Sequence, residues 1–108
     1  MFTFNVSAQN NHLQLVFGGE LTIYSASALF NEHIKALQME DSISLDLSEV
    51  EEIDTAGAQI LLFLFAEAAR QEKSCQLTAF SEAVGRYIRL FNLQSHFALN
   101  TTDGESIT

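Results

Sequence analysis

Proline is absent from this chain, its five glycines are scattered, and only one cysteine, Cys75, occurs in 108 residues. With no proline and no glycine-rich run, nothing reads as a linker before the polar stretch 100–108. The expected organisation is therefore one domain over 1–99 followed by a disordered tail. A lone thiol forms no internal disulfide, and no Cys/His pair has zinc-site spacing. A disulfide scaffold and a structural zinc site are thus excluded, and a reducing cytoplasmic setting is expected. Basic residues are scarce as well: five Lys plus Arg stand against fourteen Asp plus Glu, a formal net charge of −9. Such a field repels phosphate backbones and anionic lipid, which sets nucleic acid aside as a partner. Long apolar runs are also missing. The longest, Ile60 to Phe65, has six residues, and Met1 to Asn5 lacks a basic stretch followed by an apolar one. Neither a membrane span nor an export signal is expected.

What is present is strong periodicity. Phe2, Phe4 and Val6 alternate with Thr3, Asn5 and Ser7, and Leu13, Leu15 and Phe17 alternate with His12, Gln14 and Val16. Both segments read as half-buried strands. The intervening Gln9-Asn10-Asn11 has the chemistry of a tight turn, so a hairpin opens the fold. Ser25 to Gln38 places Leu29, Phe30, Ile34 and Leu37 on one helical face. Ile43, Leu45 and Leu47 mark a third strand, and Ser48 to Gly57 reads as a loop. Ala56 to Glu72 reads as a long helix because alanine-rich flanks enclose its apolar run. Cys75, Leu77 and Ala79 mark a fourth strand. Ser81 caps a last helix bearing Val84, Tyr87, Ile88 and Phe91. Strands that are polar at every second position oppose a sheet covered on both faces. The expected fold is α/β, a mixed sheet of four to five strands with about three helices packed on one face.

Catalytic patterns do not assemble. His12, His33 and His96 lie far apart, and the chain has no nucleophile elbow, Walker-type loop or dinucleotide fingerprint. No enzymatic activity, cofactor or metal is expected. His33 sits four residues from both Leu29 and Leu37 and reads as a satisfied boundary histidine rather than a ligand. A phosphoaspartate receiver would need acids after the first strand and a later lysine, company that Asp46 lacks. The loop residues Asp54 and Thr55 are each able to cap the long helix. Alternatively, the Thr55 hydroxyl is a phosphoacceptor, since helix amides and the positive dipole end stabilise a phosphate there. At about 100° per residue, Gln59 and Phe63 lie opposite Leu61, Leu64 and Phe65, so Phe63 is expected to be exposed near Thr55, either as a docking ring or as a single surface aromatic of no consequence.

Three segments in order resemble the STAS family, the sulphate-transporter and anti-sigma-factor-antagonist domains, over residues 2–97. They are Gly19-Glu20-Leu21 with Ser25-Ala26, then Asp46-Leu47-Ser48 through Asp54-Thr55-Ala56-Gly57, then Ser81-Glu82-Ala83-Val84 through Leu93. The resemblance implies a non-enzymatic switch whose acceptor position is Thr55, with Asp54, Ala56 and Gly57 forming the switch loop and Thr22 contacting the partner, beside Gln59 and Phe63, which helix geometry rather than the resemblance makes candidate partner-binding residues. It further implies a partner of the histidine-kinase-like serine/threonine kinase or anti-sigma factor class. Thr22 stands where antagonists of anti-sigma factors often carry Asp, and Ala56 replaces a frequent second hydroxyl residue. In these respects the chain looks more like stand-alone bacterial STAS proteins associated with chemotaxis signalling. The other implied reading is a STAS subunit bound constitutively to the ATPase of a lipid-transport ABC system.

Overall fold

A computed structural model of the chain describes residues 1–95 together with Phe97. The expected domain end at 99 and the tail 100–108 lie outside the described residues. Strands β1 (Phe2–Gln9) and β2 (His12–Leu21) form the antiparallel hairpin that opens the fold. Asn10 and Asn11 join them with φ of 55° and 64°. This pair of left-handed residues matches the twist of a two-residue hairpin, and asparagine adopts it at little cost.

After β2 the chain enters α1 (Ile23–Leu29) through a capping box. The Thr22 hydroxyl accepts from the Tyr24 N–H at 3.3 Å, and the Ser25 hydroxyl accepts from the Thr22 N–H at 3.1 Å. This cap starts the helix ahead of the expected Ser25. Instead of running on to Gln38, the segment ends as a π-helical turn, Phe30–Ile34. The five-residue repeat of that turn brings Leu29 and Ile34 both into the core, and it leaves the His33 ring against Phe2 and Phe4, at centroid distances of 6.1 and 5.1 Å. The boundary reading of His33 is the one observed.

Strand β3 (Ser42–Ile53) pairs parallel with β2 and absorbs Ser48 to Ile53, residues expected to form a loop. The difference has a physical cause. Register shifts between Val16 and Gly18 and between Gly19 and Glu20 interrupt the alternation. Glu49, Glu51 and Glu52 are exposed while Val50 alone is buried, so this end of the strand carries no apolar period to read. Then follow α2 (Thr55–Arg70), β4 (Ser74–Phe80) and α3 (Glu82–Leu90). Ser81 caps α3, its hydroxyl accepting from the Val84 N–H at 3.3 Å.

The sheet order is β1-β2-β3-β4, with the first pair antiparallel and the others parallel. Leu15 lies opposite Leu45, and Leu45 opposite Leu77, so apolar side chains line one face in rows. Leu61, Leu64 and Ala68 of α2 and Val84 and Ile88 of α3 close over them. Each fully buried Leu or Ile contributes about 1.5–3 kcal/mol of transfer free energy. Asn5, Gln14 and Gln76 stay exposed on the opposite face. The result is the expected α/β architecture, a mixed four-stranded sheet with its helices on one side.

Cys75 belongs to the inward row, and burial pushes its thiol up to about 11. At neutral pH it holds roughly a hundredfold less thiolate than an ordinary cysteine. Alkylation by iodoacetamide is therefore expected to be slow in the folded protein and fast in urea, as read by intact-mass spectrometry.

Candidate functional site

The ends of β2 and β3 deliver the chain to the amino ends of α1 and α2, and one carboxylate joins the two. Asp54 is the cap of α2, its Oδ1 accepting from the Gly57 N–H at 3.1 Å. Its Oδ2 accepts from the Ile23 N–H, the first residue of α1, at 2.9 Å. Its own N–H donates to the Leu21 carbonyl at 3.2 Å. Sequence left the cap open between Asp54 and Thr55, and the geometry assigns it to Asp54. Thr55 is the first helical residue. It is exposed, and its Oγ1 lies 3.1 Å from the Tyr87 hydroxyl of α3.

Gly57 was expected in a tight turn of the switch loop, whereas it lies inside the first turn of α2. Glycine is needed there for space. A Cβ at this position would run into the Leu21 carbonyl, because α2 approaches the end of β2 backbone to backbone.

Ala56, Gln59 and Phe63 share the outer face of α2. Together with Ala26, Ser27 and Phe30 they line a groove of about 290 Å³ between α1 and α2. Phe63 is 39% exposed and meets Phe30 edge to face, with centroids 5.2 Å apart. It is an exposed ring that is also held by a neighbour. Thr22 lies elsewhere than on the surface. It is 7% exposed and its hydroxyl caps α1, while Ile23 and Tyr24 beside it are 67% and 92% exposed. Had Thr22 been read as a cap, its two successors would have been legible as outward-facing residues.

Tyr87 was missed as a site residue because its spacing with Val84, Ile88 and Phe91 reads as a core face. It is half-buried, stacks on Phe91 at 4.5 Å, and turns its hydroxyl to Thr55. Tyr87 also lines a second groove of about 610 Å³, walled by Glu51, Glu52 and Ile53 of β3 and by Arg86 and Leu90 of α3. Arg86 pairs with Glu82 at 3.4 Å. The site therefore offers hydroxyls, apolar rings and acidic side chains at a surface. Among the described residues no group of three His, Cys, Asp or Glu could hold a metal ion, and no helix is long and apolar enough to cross a membrane.

Two substitutions test this construction by thermal melting. Helix propensity alone favours Gly57→Ala by about 1 kcal/mol. The approach of the Leu21 carbonyl reverses the sign, and we expect a loss of about 1–3 kcal/mol. Asp54→Ala leaves the Gly57 and Ile23 amides without their acceptor. It is expected to lower the melting temperature by roughly 5–15 °C, the cost of a strong cap in a domain of this size.

Residues 4–100 match the family model described as "Mlab, STAS domain". The crystal structure of an anti-sigma factor antagonist from Mycobacterium paratuberculosis is similar at a TM-score of 0.74 and 23% identity, over 99% of this chain and 92% of that one. The anti-sigma factor antagonist SpoIIAA in its unphosphorylated form is similar at a TM-score of 0.70 and 14% identity, over 86% of this chain and 84% of that one. At these identities the likeness is one of fold. No curated protein matches. The family match runs from within β1 past the end of α3, over the sheet and helices that those antagonists share, and so the chain belongs to the STAS domain family.

Proposed function

We propose that this domain is a non-enzymatic regulatory module, resembling antagonists of anti-sigma factors, that binds a protein partner at the amino ends of α1 and α2. In this reading phosphorylation of the Thr55 hydroxyl sets the affinity. The observation that carries it is the separation of roles at the rim. Asp54 holds both helices, while the exposed Thr55 hydroxyl engages a side chain from α3 rather than the α2 backbone. A phosphate on Thr55 would lie at the amino end of a 16-residue helix, where amides and the dipole favour an anion. It would add about −1.5 to −2 of charge beside Glu51 and Glu52, enough to drive off an acidic partner surface. The groove holding Gln59, Phe63 and Phe30 supplies an apolar anchor beside the switch. The partner class is a histidine-kinase-like serine/threonine kinase or an anti-sigma factor, in the cytoplasm, within chemotaxis or two-component signalling. That one structural neighbour is described in its unphosphorylated form fits the same reading.

A second reading is a constitutive subunit on the ATPase of a lipid-transport ABC system. The matched family model favours keeping it, since that model is described as the Mlab STAS domain and not as an antagonist. Thr55 would then be a contact residue only.

Affinity capture from the native cell, with mass spectrometry of the co-purifying chains and of the Thr55 peptide, separates the two. For the switch we expect a kinase-like partner, a phosphorylated pool, and at least tenfold weaker binding by Thr55→Glu with binding by Thr55→Ala retained. If Thr55→Glu holds every partner as tightly as the unmodified chain, the switch is overturned. An ATPase partner with Thr55 always unmodified establishes the second reading.

A further inference from the structure

From Phe2 to Gly19 the sequence contains no Asp, Glu, Lys or Arg, in a chain whose formal net charge is −9. This uncharged stretch is β1, the asparagine turn and most of β2, and β1 is the outer strand of the sheet. No strand among the described residues pairs with its outer edge, which has a defined set of hydrogen-bonding groups. The Glu20 N–H donates to the Met1 carbonyl at 3.0 Å, which makes Met1 and Glu20 a hydrogen-bonded pair. Antiparallel pairing alternates, so Thr3, Asn5, Ser7 and Gln9 turn their backbone groups toward β2. Phe2, Phe4, Val6 and Ala8 therefore present their N–H and C=O groups outward.

Edges of this kind template pairing unless something blunts them. The other edge is blunted. Strand β4 carries a register shift against β3 at Leu45 and Asp46, and its entry is fixed by the Lys73–Asp41 ion pair at 3.1 Å. Strand β1 has no proline, no charged side chain and no register shift along its whole pairing with β2.

We propose that β1 pairs antiparallel with β1 of a second copy of this chain, joining the two sheets edge to edge. Two features select a second copy as the occupant. The strand is complementary to itself about a twofold axis through Asn5. That register sets Phe4 opposite Val6 of the second copy and Phe2 opposite Ala8 of the second copy. The outward backbone groups of each meet, for about eight inter-strand hydrogen bonds. Apolar pairs then fall on the helix side, where Val6 is 46% exposed and Phe4 packs on Phe17 at 5.0 Å. Uncharged pairs, Thr3 opposite Ser7 of the second copy and Asn5 opposite its own counterpart, fall on the other side. The second feature is charge. Two copies that are each strongly acidic repel, and the uncharged β1 lets them approach at low cost. Strand β4 is equally uncharged but carries the register shift, so β1 is the edge that meets both conditions.

Sedimentation equilibrium over a wide concentration range tests this on the full chain. A concentration-dependent dimer is expected, tightening as added salt screens the repulsion. Val6→Lys puts a charge on the edge, and Val6→Pro removes an outward N–H while leaving the ladder to β2 intact. Each is expected to weaken the dissociation constant at least tenfold with the far-ultraviolet circular dichroism retained. Amide exchange at Phe4, Val6 and Ala8 should slow with rising concentration in the original chain. A protein that stays monomeric throughout overturns the proposal and leaves the edge to a strand of another protein. A dimer that withstands both substitutions also overturns it, by assigning association to another surface.

Discussion

The Asp54 carboxylate holds the candidate site together. Two helices begin side by side where β2 and β3 end, and each brings backbone amides that its own helix leaves unsatisfied. One carboxylate oxygen takes an amide from α2 and the other an amide from α1. An Asp fits where Ser or Thr would not, since a hydroxyl offers a single oxygen and this junction asks for two acceptors pointing apart. The close passage of Gly57 over the Leu21 carbonyl follows from the same requirement. The helices must start within reach of one side chain, and a Cβ would wedge them apart.

That arrangement releases the residue after the cap. Thr55 is fixed in position by the first turn of α2 without contributing a structural bond to it, so its hydroxyl is both precisely placed and chemically free of the backbone. Its tie to Tyr87 links the rim to α3, and through the Tyr87–Phe91 stack to the exposed end of that helix. The neighbours of Thr55 line both grooves: Ala56 the one under Phe63, and Ile53 and Tyr87 the one walled by Glu51, Glu52 and Arg86.

The sheet and helices were legible in the sequence wherever burial imposes a period. Leu13, Leu15 and Phe17 alternate because one face of β2 is wet, and the long apolar run of α2 was resolved by its alanine-rich flanks. Legibility failed where backbone geometry overrides the period. The last residues of β3 carry acids on a twisted, register-shifted strand and so resemble a loop. The π turn brings Ile34 inward five residues after Leu29, but Ile34 also stands four residues after Phe30 and satisfies a helical template from there, so the break in α1 left no mark. At the site, Asp54 and Thr55 were found as a pair, yet their division of roles needed distances. Only its place in the family motif marked Thr22 as a partner contact, and its capping role came only with the distances. Tyr87 reads as core because it shares the helical spacing of Val84, Ile88 and Phe91, whereas its ring stacks on the exposed Phe91 and its hydroxyl meets Thr55.

The charge distribution separates two kinds of surface on one small domain. Acids gather along the end of β3, beside the hydroxyl and rings of the rim, where fields steer encounter. Residues 2–19 of the hairpin carry no Asp, Glu, Lys or Arg, and the outward recognition groups of β1 are backbone amides and carbonyls. The rim presents side-chain hydroxyls, rings and carboxylates, whereas the edge presents backbone groups whose spacing strand geometry sets. Recognition at the rim rests on side chains of β3, α2 and α3, and recognition at the edge on the backbone of β1, so the two draw on different residues.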